Sequence, residues 1–298
     1  MKKLDLKVWF ICNNQCLFCI QWDKRKKFWQ RKTQFLKKII KENYNEWLKY
    51  IVFTWWEPTL HPDILEIIKY AQKVWYKQLQ LQCNWRTLSD FEYIKKLADA
   101  GINEFGPSLH WFKKTTHDQL VGAKNARKET VKWIRNIKKL WYRVITNTVI
   151  TKQNYKELPK LAYLFIGLWV DQFQFAFPHI WGSAWENRNN IVPKKSKCIK
   201  YIHQALDIWK RNWKTCMTEA IPFCFMQWYE WHIAEKVFTR DVKIFDAEKI
   251  TKSYNKYKKN KGKKHWPPCK KCKLEDICEW PWKEYPQIFG WDEFQSIK

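Results

Sequence analysis

Glycine is scarce in this chain. At average usage, roughly 7%, a protein of this length would carry about 21 glycines, and this one has 7. Long apolar runs are also missing. The greasiest segment, LAYLFIGLWV at 161–170, is too short to cross a bilayer, and MKKLDLKVWF has no long apolar stretch ahead of the first cysteine. We therefore read neither a membrane span nor an export signal, and expect a reducing, cytoplasmic setting. There the 10 cysteines are better suited to metal or iron–sulfur chemistry than to disulfides. Arginine is sparse, which disfavours guanine readout and bidentate grip of phosphate. No internal repeat is visible.

Lysine and tryptophan are what the chain has in excess. The formal charge of +27 invites a nucleic-acid partner. The lysines are spread along amphipathic stretches, though, with denser patches only at 24–38 and 256–264, so a solvated basic surface is the reading adopted and RNA stays an alternative. The 22 tryptophans often stand where glycine is wanted. Trp75, Trp141 and Trp169 each follow a helical pattern and precede a strand pattern, the usual place of a C′ glycine. Trp85, in CNWR, reads as Asn-Gly in a strand-to-helix loop.

Alternating apolar runs and amphipathic stretches fill residues 1–180. Strand patterns occur at LKVWF (6–10), YIVFT, QLQLQ, INEFGPSLH, YRVITNTVI and VDQFQFAF. Helix patterns lie between them: TQFLKKIIKEN, PDILEIIKYAQK with proline in its first turn, SDFEYIKKLADAG with Ser89 as cap and Gly101 as stop, ARKETVKWIRNIKKL and NYKELPKLAYLFIG. Six strands alternating with helices predict an α/β fold with a parallel sheet. After a further helix, CIKYIHQALDIWKRN, the chain becomes irregular and cysteine-rich.

The strongest motif is Cys12-x3-Cys16-x2-Cys19, directly after the first strand. Three thiolates can cap three irons of a [4Fe–4S] cube and leave the fourth open, whereas electron-transfer sites use four cysteines. Zinc prefers four ligands, commonly in two pairs. With Phe18 before the last cysteine and Asn13-Asn14 after the first, the segment resembles the radical S-adenosylmethionine (SAM) superfamily. Downstream, Thr54-Trp55-Trp56-Glu57-Pro58-Thr59 resembles that family's Thr-Gly-Gly-Glu-Pro-Thr, where the backbone meets the amino group of SAM. Close approach of a ligand to the main chain calls for glycine, and two indoles at that point fill the pocket. We read this conflict and the glycine deficit together as UGA codons that the source organism decodes as glycine and that are translated here as tryptophan, with a genuinely tryptophan-rich protein as the alternative. A tryptophan-rich stacking surface does not account for the missing glycines. Trp282, in CEWPWKEY, is one that can be genuine.

The resemblance implies a partial (β/α)6 TIM-like barrel over 1–196 and a small cysteine-rich domain over 197–298. It implies a SAM-binding [4Fe–4S] cluster on Cys12, Cys16 and Cys19. SAM contacts follow at Phe18, at Trp55 and Trp56 as glycines, at Glu57 and Pro58, at Asn84, at Ser108 and His110, and at Asn147. His117-Asp118 resembles a helix start with Asp118 or Thr116 as cap, and Phe177-Pro178-His179 lines the substrate mouth. Cys224, Cys269, Cys272 and Cys278 resemble the auxiliary cap called SPASM or Twitch and imply an auxiliary [4Fe–4S] cluster, with zinc as the alternative; Cys198 and Cys216 are spares, and Cys83 is a core residue. The activity implied is cleavage of SAM to a 5′-deoxyadenosyl radical that abstracts hydrogen from a substrate, peptide or protein or a cofactor precursor, with an external electron donor such as flavodoxin or ferredoxin. The alternatives are a tRNA- or nucleotide-modifying enzyme of the same kind and an Fe–S electron-transfer protein without SAM cleavage. No catalytic acid or base stands out.

Overall fold

Apolar runs too short to make a helix form the strands, and the amphipathic stretches between them form the helices, as their periodicities demand. A computed structural model describes residues 2–298 apart from 22, 23, 25, 26, 29, 30, 85, 87–89, 213 and 238–240. In it β1 (Lys3–Lys7), α1 (Thr33–Asn45), β2 (Tyr50–Thr54), α2 (Ile64–Lys73), β3 (Gln78–Cys83), α3 (Phe91–Asp99) and β4 (Glu104–Pro107) follow one another. Then come α4 (Lys114–Val121), α5 (Ala126–Lys139), β5 (Arg143–Val149), α6 (Leu158–Gly167) and β6 (Gln172–Ala176). Two short helices, α7 (Ser183–Glu186) and α8 (Arg188–Ile191), lead to α9 (Lys195–Lys210) and β7 (Thr215–Glu219). Two further strands, β8 (Val242–Phe245) and β9 (Ile250–Thr251), lie beyond.

The strands form an open sheet in the order β7-β6-β5-β4-β3-β2-β1-β8-β9. All neighbours are parallel except the β8–β9 pair, with Leu4 opposite Ile51 and Leu6 opposite Phe53. Helices between parallel strands cover the outer face, and the carboxyl ends of the strands converge on one rim, where ligands gather in such folds. This is the partial barrel expected, with more strands than the six in the sequence pattern. β7 extends it on one side. On the other, β8 returns from the C-terminal part and pairs with β1, Leu4 opposite Lys243 and Leu6 opposite Phe245. Residues beyond 196 thus complete the sheet as well as carrying the cysteines.

Two local expectations are corrected. The first strand is Lys3–Lys7, not 6–10. Trp9 and Phe10 leave the sheet to pack edge-on against His61 and Trp56, starting the cysteine loop three residues early. Asp118 and Thr116 do not open a helix, because α4 already begins at Lys114. Asp118 instead accepts the backbone N–H groups of Asn125 (2.7 Å) and Arg127 (3.0 Å), satisfying the start of α5. The cap found at α3 is Asp90, whose carboxylate accepts the Glu92 N–H at 2.9 Å. Ser89 and Trp85 lie outside the described residues.

Helix ends in the left-handed conformation are made by both glycine and tryptophan. α3 stops with Gly101 (φ 121°) and α4 with Gly122 (φ 61°). In the same role α1, α2, α5 and α6 have Trp47 (φ 66°), Trp75 (φ 74°), Trp141 (φ 61°) and Trp169 (φ 57°). A side chain in the left-handed region costs about 1–2 kcal/mol because Cβ crowds the carbonyl oxygen. The indole of Trp141 is 90% exposed and regains little by packing. Replacing Trp141 by glycine should therefore raise the unfolding free energy by about 1 kcal/mol, measured by urea denaturation, while Trp141→Ala should give less.

Candidate active site

The cysteine loop leaves β1 and crosses the rim, tied to the barrel by polar contacts that no motif announces. Gln15 and Leu17 donate backbone N–H groups to Val121 and Leu120 at the end of α4, at 2.8 and 3.0 Å. Gly122 is needed beside them, since a Cβ there would stand 2.7 Å from the Gln15 carbonyl. Arg86 reaches over from the loop after β3. Its guanidinium donates to the Asn13 carbonyl and to Asn14 Oδ1 (3.2 Å), and pairs with Glu129 at 3.1 Å. Asn84 donates to Cys12 Sγ at 3.4 Å and to Asn13 Oδ1 at 2.7 Å.

Glu57 closes the frame. Its side chain is fully buried and accepts from the Thr59 N–H (3.2 Å) and hydroxyl and from the Asn84 N–H (2.8 Å). Its own N–H donates to the Ile11 carbonyl. Glu57 and Pro58 tie the ends of β2 and β3 to the cysteine loop and do not border the cavity described next.

Cys12, Cys16 and Cys19 border one cavity of about 310 Å³ at the strand carboxyl ends, together with Phe18, Trp55, Trp56, Asn84, Ser108, His110 and Asn147. Cys83, at the end of β3, also borders it, held in the sheet opposite Pro107. Of the residues assigned to SAM, only Glu57 and Pro58 lie off this wall. Asn147 Oδ1 is buried with no hydrogen-bond donor, an orphan acceptor of the kind a ligand donor satisfies. Trp55 (φ 74°) and Trp56 (φ 48°) are both in the left-handed region at the end of β2. The Trp56 N–H is buried without an acceptor, and the Trp55 ring lies 3.7 Å from Lys7 Nζ. Both rings occupy space at the rim.

His110 is buried beside Phe18, ring centroids 4.7 Å apart, and its Nδ1 accepts the Val149 N–H at 3.1 Å, which puts the ring proton on Nε2. Burial, with His117 stacked against it, holds its pKa well below 6.5. Burial and nearby Arg127 lower His117 to about 3.

Among the described residues no three His, Cys, Asp or Glu side chains are arranged around a single metal ion. In a cube each cysteine meets its own iron, so ligands to one stand wider apart than ligands to zinc. Three thiols on a shared wall with an orphan acceptor beyond them fit a cluster with one open iron and a small molecule on it.

A second group of thiols lies in the C-terminal part. Cys224 sits in a 3-10 turn (Phe223–Phe225), Cys269 in another (Pro267–Lys271), and Cys272 and Cys278 flank a third (Glu275–Ile277). Burial raises Cys278 to about 12, and the charges of Cys224, Cys269 and Cys272 add to the shift, so the four are near neighbours. Backbone N–H groups of Phe223, Gln295 and Ile297 hydrogen-bond to the sulfurs of Cys278, Cys224 and Cys272. Cys198 and Cys216, the spares, are core residues whose thiols burial pushes up, Cys198 to about 12.

Residues 6–164, which carry the three cysteines and most of the cavity wall, match the radical SAM superfamily. The chain belongs to that superfamily and is an enzyme of it. It is 26% identical over 210 residues to the PqqA peptide cyclase of Bradyrhizobium diazoefficiens, covering 67% of this chain and 53% of that one. It is 25% identical over 178 residues to a probable GTP 3′,8-cyclase of Sulfurisphaera tokodaii, covering 59% and 56%. The chain thus spans about half the length of these curated relatives. In fold it is similar to Streptococcus suis SuiB bound to S-adenosylmethionine (TM-score 0.68, 15% identity, 93% of this chain and 72% of that one). It is equally similar to anSMEcpe with bound AdoMet (TM-score 0.68, 16% identity, 94% and 89%). No helix among the described residues is long and apolar enough to cross a membrane.

The buried histidines set a pH dependence. Their folded pKa values lie below the unfolded value near 6.5, so their stabilisation is full above that pH and is lost as pH falls. Each group contributes a slope of about 1.4 kcal/mol per pH unit below 6.5, down to about 3 for His117. Urea unfolding between pH 7 and 5 should show it, and His117→Asn, which keeps an acceptor for the His110 N–H, should remove one histidine's share of the slope.

Proposed function

We propose that this chain binds a [4Fe–4S] cluster through Cys12, Cys16 and Cys19, binds SAM at the open iron, and uses the product of SAM cleavage to abstract hydrogen from a peptide or protein. The observation that carries the reading is the single cavity bordered by these three thiols and by the orphan acceptor of Asn147. With cluster and SAM bound and an electron supplied from an external donor, the chemistry available is cleavage of the sulfonium to methionine and a 5′-deoxyadenosyl radical. The chain's own part is to position and exclude. Arg86 and Asn84 hold the cysteine loop, Glu57 fixes the ends of β2 and β3, and Asn147 accepts from a ligand hydroxyl. His110 stays neutral with a proton on Nε2, and Phe18, Phe177 and Pro178 keep the wall dry.

The same reading requires glycine at 55 and 56, where two indoles stand at the end of β2. Among the described residues seven of the nine non-glycine residues with positive φ are tryptophans. Tryptophan has no intrinsic preference for that region, and glycine does. This clustering supports a reassigned codon as the source of Trp47, Trp55, Trp56, Trp75, Trp141, Trp169 and Trp228. The reconstituted protein with Trp55→Gly and Trp56→Gly should release 5′-deoxyadenosine under anaerobic reduction, and the printed sequence should release at least tenfold less. Equal absence from both, with cluster bound, would favour an electron-transfer protein instead.

For the C-terminal part we propose a SPASM- or Twitch-like cap with one auxiliary [4Fe–4S] cluster on Cys224, Cys269, Cys272 and Cys278. Their mutual proximity and the backbone N–H groups on three of the sulfurs support it, since such hydrogen bonds tune clusters. Cys272→Ala should halve the iron content from two cubes to one and leave the SAM-dependent signal of the first cluster in place. Bound zinc instead of iron would contradict the cluster. The peptide class is supported by the named relatives, a peptide cyclase and, among folds, SuiB bound to precursor peptide SuiA.

A further inference from the structure

The protein carries a formal charge of +27, yet among the described residues no lysine or arginine borders the cavity. Its one charged side chain there is Glu219, at the end of β7, beside Phe177, Pro178 and His179. Glu219 accepts a hydrogen bond from Gln174 through Oε2 and has no ion-pair partner among the described residues. His179 lies tilted against Trp282, ring centroids 3.7 Å apart, and burial, helped by Lys263 and Lys258, holds it neutral. Nearby carboxylates are already matched: Asp5 with Lys7 at 2.9 Å, Glu279 with Lys263 at 3.2 Å, and Glu235 near Lys258 at 3.9 Å.

The backbone around Glu219 is held with unusual thoroughness. Its carbonyl accepts the Phe177 N–H at 2.9 Å. The next residue, Ala220, is in the left-handed region (φ 58°), a strained position for alanine and one of only two such non-glycine, non-tryptophan residues described. Two buried ionisable groups clamp it: Glu235 Oε1 accepts the Ala220 N–H at 3.0 Å, and Lys195 Nζ donates to the Ala220 carbonyl at 3.1 Å. Lys195 and Glu235 have no part in the SAM chemistry. Both cost desolvation, and both are spent on fixing the two peptide units that flank the Ala220 Cα, directly after Glu219.

We propose that Glu219 is a specificity-determining residue, a fixed carboxylate on the wall of this cavity that receives a cationic group of the substrate, an ammonium or a guanidinium. Lys195 and Glu235 act through it as positioning residues. The inference rests on the peptide reading above for the identity of the substrate, which then carries a lysine or arginine close to the carbon that reacts. A charge-assisted hydrogen bond of this kind discriminates against a neutral isostere by about tenfold or more.

The test uses reconstituted full-length holoenzyme with glycine at 55 and 56, saturated with SAM, and a library of capped heptapeptides analysed by mass spectrometry after equilibrium retention. Lysine or arginine should be enriched at one position about tenfold over norleucine. Glu219→Gln should erase that preference, and Glu219→Lys should turn it towards aspartate and glutamate, both variants keeping the parent's iron content. Retained peptides without a basic preference, or the same preference in Glu219→Gln, would overturn the inference. Loss of SAM affinity by tenfold or more in Glu219→Gln would assign the carboxylate to the sulfonium and also overturn it. If no peptide is retained, the peptide reading fails alone. The subsite is then decided by saturation-transfer NMR with n-butylguanidinium against n-butylurea, where a signal for the cation that Glu219→Gln abolishes upholds it and equal signals overturn it.

Discussion

Left-handed backbone at the ends of strands and helices is the constraint on which the rest depends. A parallel barrel must turn its chain sharply after each helix to feed the next strand, and after β2 it must turn where a ligand approaches the main chain. Gly101 and Gly122 make two of these turns cheaply. At Trp47, Trp75, Trp141 and Trp169 the same turn is made against the preference of an L side chain. The fold keeps its geometry at those positions because the strands and helices that they join are packed into the core. These backbone angles are ones glycine adopts freely, and that is the ground for proposing glycine at these positions.

The same constraint governs the active site more harshly. At helix ends an unwanted indole points into solvent and costs strain alone. At 55 and 56 it also borders the cavity that the three cysteines line, with the Trp56 indole N–H buried and unmatched. The rest of that rim is an ordered frame: a cysteine loop pinned by Arg86 and Asn84, a carboxylate at Glu57 that joins two strand ends, and an orphan acceptor at Asn147. The contrast separates the two residues that conflict with the site from the many that build it.

Much of this was legible in the sequence, for definite physical reasons. The strands YIVFT and QLQLQ and the helices α1, α2 and α5 announce themselves through apolar spacing, and the cysteine spacing names its chemistry. The ends were less legible. Trp9 and Phe10 have strand-like character but pack against His61 and Trp56, so the first strand ends sooner. β7 and β8 are short and mixed in character; pairing with β6 and β1, not intrinsic pattern, makes them strands. Asp118 looked like the cap of its own helix and caps the next, a tertiary contact that no spacing encodes. Arg86 and Glu219 are single polar residues in no motif, and only the fold brings them to the cysteine loop and the cavity wall.

The central claim is that glycine belongs at the left-handed positions, above all at the end of β2. Peptide mass spectrometry of the protein isolated from its native host tests it without any assumption about substrate. The account predicts glycine at 55, 56, 75, 141 and 169. Tryptophan found at 55 and 56 in the native protein would contradict it, and would make the SAM wall as printed, with both indoles in place, the working site.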